Sequence, residues 1–402
     1  MRIALTPEQE RLREELRAYF NELVTPERRA ALSGATGEFG EMGEASVYRE
    51  VIRQIGEDGW LGIGWPKEYG GQGRSMVEQL IFTDVAAVAG VPIPYLTLNT
   101  IGPTIMQYGT DEQKAYFLPR ILRGELHFSV GYSEPGSGTD LASLQTRAVL
   151  DEAAGENGEW VIDGQKMWTS LIQYADWIWL ACRTEDPGAA PRHKGLSMIL
   201  VPADAPGVSY TPVHTVAGVG TSATYYSDVR VPASNLVGGR GGGWRLITNQ
   251  LNRERVALTS SAATVHSLDL VRAWAARTRR PDGTRVIDAE WVQLLLGRAH
   301  ARVEALTLIQ WKLAAEIDTM SPADASATKV YGSELNTEIY RTLMEVVGPA
   351  ASLTGDSAGA VLAGRLERYA RSSLVMTFGG GTNEIQRDII GMVGLGQPAA
   401  RR

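Results

Sequence analysis

The sequence has very little cysteine, no long apolar run and no excess of positive charge. Its one cysteine, Cys182, excludes an intrachain disulfide and a cysteine-ligated metal cluster, so we expect no metal site of that kind. A single cysteine is typical of a protein of the reducing cytoplasm. The chain passes from Met1 into charged sequence without the apolar core of an export signal, and no apolar segment is long enough to span a bilayer. The sequence therefore predicts a cytoplasmic protein without a membrane partner.

The charge balance argues against nucleic acid as a partner. The formal net charge is -7, and a phosphate-binding face needs a concentrated basic stripe. The most basic local run, residues 277 to 280, leads into Pro281-Asp282-Gly283 and is interpreted as a solvated turn. At 402 residues the chain exceeds the usual size of a single core, so two or three packed layers or subdomains are expected.

Residues 1 to 125 have the patterns of a helical domain. The runs Thr6-Pro7-Glu8-Gln9 and Thr110-Asp111-Glu112-Gln113 have the spacing of capping boxes at helix starts. From 126 to 238 the apolar period changes to two, with short strands separated by turns such as Asp163-Gly164. Helices between these strands are not indicated, so this region is predicted to be a compact antiparallel β-barrel or sandwich.

Helical periodicity returns after a glycine-rich linker that begins at residue 238. Four apolar-periodic segments are predicted at about 244–276, 286–317, 324–347 and 355–376. Their lengths and short connections suit a four-helix bundle over residues 239 to 402. The predicted fold class is therefore α+β and multidomain, with a helical domain, a central antiparallel β-barrel and a C-terminal four-helix bundle.

A glycine-rich segment near the C-terminus, residues 378 to 388, reads F-G-G-G-T-N-E-I-Q-R-D and predicts a helix start at Thr382. Consecutive glycines let a main chain approach a flat or phosphorylated group closely. Free N–H groups at a helix start can hold an anion or the polar edge of a cofactor. Glycine runs more often form plain turns, and the segment alone favours that interpretation.

Two further motifs lie in the predicted sheet region. Residues 131 to 140, G-Y-S-E-P-G-S-G-T-D, offer many hydrogen-bond donors with little side-chain bulk, as a loop around a polar cofactor requires. Residues 163 to 170, D-G-Q-K-M-W-T-S, form a hairpin in which Trp168 can cover one face of a flat ring. The loop is equally consistent with a cluster of β-turns, and Trp168 with a core position.

Glu254 lies on an otherwise apolar stripe of the first predicted C-terminal helix. Its spacing from Ile247, Leu251 and Leu258 places these residues on one helical face. A buried carboxylate without a partner is costly, so its pKa is expected to rise toward the range of a general base. The alternative is a structural ion pair with Arg255 or another arginine, which the residue alone favours.

These motifs, in this order, resemble the signatures of the acyl-CoA dehydrogenases. The matching runs are S-E-P-G-S-G-T-D at 133–140, D-G-Q-K-M-W-T-S at 163–170, S-D-V-R-V-P at 227–232 and G-G-G-T-N-E-I-Q at 379–386. The resemblance covers essentially the whole chain. More closely, W-P-K-E-Y-G-G at 65–71 and T-S-A-T-Y-Y at 221–226 resemble an actinobacterial branch of heterotetramers that dehydrogenate steroid side-chain CoA thioesters. The resemblance, and not the residues, implies that substrate.

The resemblance implies FAD as cofactor and an acyl-CoA thioester as substrate. In this family a carboxylate removes the α-proton while the β-hydrogen leaves as hydride to the flavin. Carried across motif by motif, it assigns cofactor contacts to Tyr132, Ser133, Thr139, Trp168, Thr169, Ser170, Gly380, Gly381, Thr382 and Glu384. It assigns substrate contacts to Thr139, Arg255 and Gly380, whose main-chain N–H would donate to the thioester carbonyl.

The resemblance also assigns the catalytic base. Many family members carry it immediately before the Gly-Thr of the last segment, where this chain has Gly380. Another subset carries it on the first bundle helix within a Glu-Arg pair, which Glu254 and Arg255 match. Glu254 is therefore the expected base.

Two elements that the family directs at a neighbouring subunit are missing. In place of Arg-x-x-Phe-Gly the chain has R-R-P-D-G-T-R at 279–285, and in place of Gln-x-x-Gly-Gly it has M-E-V-V-G-P at 344–349. Because the half-site that a subunit keeps is intact, we expect a second acyl-CoA dehydrogenase-like subunit in an α2β2 complex. The family also implies an electron-transferring flavoprotein as electron acceptor.

Three other functions are alternatives to the dehydrogenation of a sterol side-chain CoA ester. Another branched or aromatic acyl-CoA is an open alternative, because motifs do not reveal pocket shape. An oxidase that passes electrons to oxygen is disfavoured, because such relatives tend to be much longer. A catalytically silent scaffold that completes a partner's flavin site fits the missing neighbour-directed elements, whereas the presence of Glu254 argues against it.

Overall fold

The computed structural model describes residues 4–32, 44–155, 157–185, 191–257, 260–317 and 319–398, with only the main chain described at 219 and 251–257. The helices that precede the sheet are α1 (Pro7–Leu23), α2 (Pro26–Ala31), α3 (Ala45–Glu57), α4 (Met76–Ala89), α5 (Gly102–Tyr108) and α6 (Asp111–Leu122). Those that follow it are α7 (Gly243–Ala257), α8 (Ala262–Arg277), α9 (Glu290–Ala315), α10 (Pro322–Val347), α11 (Arg365–Ser373) and α12 (Asn383–Ile389). The predicted order of helices, sheet and helices along the chain is confirmed.

The strands form one sheet, and along the chain they follow α6 and precede α7. They are β1 (Phe128–Gly131), β2 (Arg147–Asp151), β3 (Glu159–Ser170), β4 (Trp177–Arg183), β5 (Leu196–Pro202), β6 (Val208–Thr215), β7 (Gly218–Pro232) and β8 (Leu236–Val237). The hydrogen-bonded order is β6-β7-β3-β2-β4-β5-β8, and β1 pairs with β4. The buried face carries a core that includes Trp160, Ile162, Ile178, Leu180 and Ile199.

The sheet is mixed, which corrects the prediction of a purely antiparallel barrel. The pairs β2–β3, β3–β7, β4–β5, β5–β8 and β6–β7 are antiparallel, as predicted. Strand β4 runs parallel to β1, with Phe128 opposite Trp177, and parallel to β2 at Arg147 and Arg183. The β2–β3 hairpin reverses the chain and the turn before β4 reverses it again, so β4 regains the direction of β1.

Both predicted capping boxes are confirmed. The Thr6 hydroxyl accepts a hydrogen bond from the Gln9 N–H, and the Gln9 side chain accepts one from the Thr6 N–H. Thr110 and Gln113 make the same reciprocal pair at the start of α6. These reciprocal bonds satisfy N–H groups that a helix start leaves without partners, so local sequence is sufficient to predict both starts.

The chain divides into two compact units. The helical unit comprises Met1–Thr36, Ser75–Pro92 and Arg255–Arg402, and the sheet unit comprises Gly37–Arg74 and Ile93–Glu254. Helices α1, α2 and α4 thus fall in the helical unit, whereas α3, α5 and α6 fall in the sheet unit. The predicted boundaries at residues 125 and 238 stay predictions.

The C-terminal helices differ from the predicted bundle at two places. The first predicted segment, 244–276, contains two helices, because the described residues Ser260 and Ser261 between α7 and α8 are not helical. The last segment begins at Arg365 and not near residue 355. Gly364 has a φ of 68°, and a Cβ there would lie 2.4 Å from the Gly355 nitrogen, so the main chain turns back on itself before α11.

The helical unit has its own core. Its C-terminal part packs Val292 and Leu296 of α9 against Leu335, Ile339 and Leu343 of α10. No described helix is long and apolar enough to cross a membrane. Among the residues with a described structure, no group of three or more His, Cys, Asp or Glu side chains could hold a metal ion.

Candidate functional site

In the sheet unit, Tyr132 links the loop after β1 to α7. Its hydroxyl donates a 2.5 Å hydrogen bond to Oε1 of Gln250 and accepts one of 3.1 Å from Nε1 of Trp179. Gln250 is 1% exposed, and its Nε2 atom has no hydrogen-bond partner within the described part of the chain. Sequence reasoning missed Gln250, and its position one helical turn before Glu254 is the signal that could have indicated it.

A buried ion pair joins the two sheet-unit motifs. Nζ of Lys166 in the hairpin lies 2.8 Å from Oε1 of Glu134 in the loop, and it also donates to the Tyr132 carbonyl over 3.1 Å. The same carboxylate accepts the N–H groups of Gln145 at 2.6 Å and Thr146 at 2.8 Å. These contacts satisfy both charges in a place where Lys166 has no exposed surface.

The pKa shifts in this pair follow from burial and mutual charge. Burial alone would raise the pKa of Glu134, but the Lys166 ammonium and the hydrogen bonds to the carboxylate outweigh it and lower that pKa. Burial lowers the pKa of Lys166, and Glu134 opposes this shift. The sequence motifs contained both residues, but nothing local to either motif indicated that they pair.

Trp168 projects from a distorted part of β3. Its φ of 64° lies in the left-handed region, the pairing register with β7 shifts between Lys166 and Thr169, and the indole is 53% exposed. A large non-glycine residue in that conformation is strained, and such strain is often found at functional sites. The alternative of a core position for Trp168 is thereby excluded, and its ring face is available to a ligand.

The residues that flank Trp168 are less available. The Thr169 hydroxyl lies inside the sheet, 3.0 Å from the Thr224 hydroxyl, so only the main chain of Thr169 remains as a contact. The Ser170 carbonyl accepts the Ser129 hydroxyl at 2.5 Å, while the half-buried side chain of Ser170 keeps some accessible surface. The Met167 N–H donates to the Ser133 carbonyl over 2.8 Å, which fixes the hairpin beside the loop.

The sheet-unit residues fit a flat polar cofactor such as a flavin. Thr139 is exposed, and Ser133 is half-buried. At Gly136 and Gly138, no described atom outside the chain neighbours lies within 4 Å of the place where a Cβ would be. The exposed face of Trp168 supplies a stacking surface, and this open, hydroxyl-bearing loop supplies polar contacts for the edge of a ring.

In the helical unit, the glycine-rich segment forms a turn that leads into α12. Gly380 and Gly381 have φ values of 67° and 92°, which favour glycine at both positions. The Thr382 hydroxyl accepts the Ile385 N–H and so caps this seven-residue helix. Glu384 is exposed, and the main-chain N–H and the Thr382 hydroxyl hold its pKa below the usual range.

A buried lysine holds the glycine-rich turn in place through hydrogen bonds. Nζ of Lys329 on α10 donates to the Gly381 carbonyl at 2.8 Å and to Oδ1 of Asn383 at 2.7 Å. The Asn383 amide in turn donates to Ser333 over 3.0 Å and to Glu334 over 3.2 Å. Sequence reasoning missed this support, although a lone lysine among the small residues of α10 was a signal for it.

Helix α7 carries Glu254 and Arg255 on its described main chain. The side chains of both residues lie outside the described structure, as does the side chain of Leu251, and Leu258 lies outside it altogether. The earlier part of the predicted stripe is in place, because Ile247 is fully buried. The roles of Glu254 and Arg255 therefore stay predictions, as do the cofactor contacts of the two units.

The segments that replace the neighbour-directed elements have their own internal contacts. In the 279–285 turn, the Arg280 N–H donates to the Thr284 carbonyl at 2.8 Å, and Arg279 donates to the Gly283 carbonyl at 2.7 Å. Arg285 pairs with Asp288 at 2.6 Å. In the 344–349 segment, Val346 packs into the core of the helical unit.

Comparisons with known proteins agree with this architecture. Profiles of the N-terminal, middle and C-terminal domains of acyl-CoA dehydrogenases match residues 6–125, 129–245 and 241–395. Acyl-CoA dehydrogenase FadE26 of Mycobacterium tuberculosis is 61% identical over 408 residues, with 100% of both chains covered.

Two solved structures are similar over their whole length. One is a chain of the ChsE4-ChsE5 complex from Mycobacterium tuberculosis, which is 61% identical with a TM-score of 0.91 and 100% of both chains covered. The other is a chain of the Tcur3481-Tcur3483 steroid ACAD, which is 47% identical with a TM-score of 0.90 and the same coverage. The expected family and fold class are confirmed: this chain belongs to the acyl-CoA dehydrogenases.

Proposed function

We propose that this acyl-CoA dehydrogenase is the base-bearing subunit of an FAD-dependent heteromeric complex that introduces an α,β double bond into a steroid side-chain CoA ester. The observation that carries the proposal is the match, at 61% identity and full coverage, to a chain of the ChsE4-ChsE5 complex. The similarity to a chain of the Tcur3481-Tcur3483 steroid ACAD supports both the steroid substrate and the second subunit.

The cofactor site is assigned to motif residues of this chain. When bound, FAD would supply the acceptor for the hydride that leaves the substrate's β-carbon. The exposed indole of Trp168 would cover one face of the ring system, and the half-buried Ser133 and Ser170 would contact its polar edge. The remaining contacts are Tyr132, Thr139, the main chain of Thr169, Gly380, Gly381, Thr382 and Glu384.

The proton transfer is assigned to Glu254. A carboxylate on an apolar helical face is desolvated, which raises its pKa and suits it to remove the α-proton of a thioester. The Gly380 N–H would donate to the thioester carbonyl and stabilise the negative charge that develops there as the proton leaves. Arg255 and Thr139 are the proposed substrate-side neighbours.

A second subunit is inferred because this chain lacks the two elements that the family directs at a neighbouring subunit. The 279–285 turn bonds to itself and Val346 is buried, so the positions that the family directs at a neighbour serve this chain's own fold. A different acyl-CoA dehydrogenase-like subunit would supply the missing flavin contacts in an α2β2 complex. An electron-transferring flavoprotein is the proposed electron acceptor.

Co-expression with the acyl-CoA dehydrogenase-like product of the adjacent gene tests this function. The complex is expected to carry FAD, and its visible flavin absorbance is expected to bleach on addition of a steroid side-chain CoA ester. A branched-chain and an aromatic acyl-CoA serve as comparison substrates. Bleaching by these two and not by the steroid ester would contradict the proposed substrate. A homotetramer of this chain with one tightly bound FAD per subunit would contradict the proposed heteromeric complex.

A further inference from the structure

Lys329 of α10 holds one side of the glycine-rich turn that precedes α12. Its side chain has no exposed surface, and its Nζ donates a 2.8 Å hydrogen bond to the Gly381 carbonyl and one of 2.7 Å to Oδ1 of the buried Asn383. Gly380, Gly381 and Thr382 are half-buried and keep accessible surface. The ammonium group therefore binds a main-chain carbonyl on the buried side of a turn whose other side is accessible to a ligand.

The same hydrogen bond fixes the direction of a main-chain N–H. The Gly381 carbonyl and the Thr382 N–H belong to one planar trans peptide, so they point in opposite directions. Because the carbonyl points at Lys329, the N–H points away from Lys329. Within the described part of the chain, no main-chain carbonyl accepts this N–H. The orientation of the peptide thus leaves the Thr382 N–H as a donor on the side opposite Lys329.

The glycines alone do not determine that orientation. Gly380 and Gly381 have φ values of 67° and 92°, and glycine adopts positive and negative φ at similar cost, so the peptide after Gly381 can rotate easily. Contact between α10 and α12 does not require Lys329 either, because the fully buried Ser326 and Gln386 join these helices through a separate 2.8 Å hydrogen bond. Burying an ammonium group costs desolvation energy that a methionine of similar length would avoid. What Lys329 adds is one fixed orientation of the peptide.

We propose that Lys329 is a positioning residue for the cofactor, which fixes the Gly381–Thr382 peptide so that the Thr382 N–H donates to an acceptor atom of FAD. The inference rests on the proposed function, which assigns Gly381 and Thr382 to the cofactor, and it adds a residue that acts through them. If the peptide rotated by half a turn, the Gly381 carbonyl would replace the N–H and present an acceptor to an acceptor. The affinity for FAD therefore depends on a side chain on the buried side of the turn.

The test compares the FAD affinity of complexes co-purified with the partner subunit, measured from the rise in flavin fluorescence as each complex is diluted. Lys329→Met removes the ammonium group at similar length, and it is expected to raise the Kd for FAD about tenfold or more. Ser326→Ala is the matched control, because it breaks a buried hydrogen bond between the same two helices and leaves the Gly381 carbonyl bonded. The control is expected to change the Kd less than about twofold. Urea unfolding shows how far each substitution destabilises its complex.

An unchanged Kd in Lys329→Met, or equal weakening of FAD binding by Lys329→Met and Ser326→Ala, would overturn the proposal and assign Lys329 a purely structural role. Should Lys329→Met not assemble, its combination with Asn383→Leu replaces both polar partners by apolar side chains and is expected to assemble. A wild-type Kd in that double variant would also overturn the proposal. A wild-type complex that binds FAD and bleaches with no acyl-CoA ester would contradict the proposed function, whereas the FAD affinities still decide the role of Lys329.

Discussion

The Tyr132 hydroxyl donates a 2.5 Å hydrogen bond to the buried side-chain carbonyl of Gln250, 118 residues later in the chain. This bond connects the signature loop after β1 with α7, the helix that carries Glu254 one turn beyond Gln250. The position of the proposed base therefore depends on a contact made by a proposed cofactor-binding residue. A substitution of Tyr132 is therefore expected to alter the position of Glu254.

Tyr132→Phe is expected to destabilise the protein by about 1–3 kcal/mol, because it leaves a buried acceptor on Gln250 and a buried donor on Trp179 without partners. The free energy of unfolding of the co-purified complex, measured in urea, checks this value. The exposed Tyr225→Phe is the matched control and is expected to leave stability unchanged. Equal stability of both variants would show that the bond contributes little.

Lys166→Met is expected to cost about 3–5 kcal/mol, because it leaves the Glu134 carboxylate buried without its counter-charge. The double variant with Glu134→Gln is expected to recover part of that loss, since it removes the unpaired charge. Urea unfolding and flavin content measure the two effects. Arg285→Met breaks an exposed pair with Asp288 and is expected to cost much less than Lys166→Met, because solvent screens an exposed ion pair. A similar loss of stability in both single variants would show that burial does not strengthen the Glu134–Lys166 pair.

His127 is expected to make the protein less stable as the pH falls. Burial, together with the nearby Arg49 and Arg53, lowers the pKa of His127 to about 3 in the folded chain. The unfolded chain takes up this proton below about pH 6.5 and the folded chain does not, so stability is full above that pH and is lost as the pH falls. From about pH 7.5 to about pH 5 the loss due to this group is about 2 kcal/mol.

His127→Phe removes that dependence and tests it. Neither ring nitrogen of His127 has a hydrogen-bond partner among the described residues, so the replacement breaks no such bond of the ring. As the pH falls from about 7.5 to about 5, the free energy of unfolding of the variant is expected to rise by about 2 kcal/mol relative to that of the wild type. Parallel stability curves for the two proteins would contradict the shift in the pKa of His127. His214→Phe, at an exposed histidine, is the control.

The sequence predicts a structural feature correctly where the contacts that form the feature lie within a few residues of each other. The capping boxes at Thr6 and Thr110 are completed within three residues, and the structure has both. The start of α11 was predicted about ten residues too early, because the approach of Gly364 to Gly355 is a tertiary contact that helical periodicity does not reveal. The parallel β1–β4 pair was missed for the same reason, since strand direction depends on how the whole chain returns.

The candidate site shows the same division. The sequence indicated that Trp168 and the glycine-containing loop at 131–140 contact a cofactor. Residue type alone suggests this, because an indole can stack on a flat ring and a loop of small residues can surround a polar group. The Glu134–Lys166 pair, 32 residues apart, and the Lys329–Asn383 contact, 54 residues apart, were not predicted, because pairing across such distances requires the fold. These buried contacts hold the two motif loops of the sheet unit and the glycine turn of the helical unit in place.

The assignment of Glu254 as the catalytic base is tested most directly by Glu254→Gln in the co-purified complex. Flavin content and the rate of bleaching by the steroid side-chain CoA ester are measured together, with the exposed Glu304→Gln as the matched control. Glu254→Gln is expected to retain FAD and to bleach about 10²–10⁴-fold more slowly than the wild type, because a general base is lost while the cofactor contacts remain. Bleaching at the wild-type rate would contradict the assignment of Glu254 as the base.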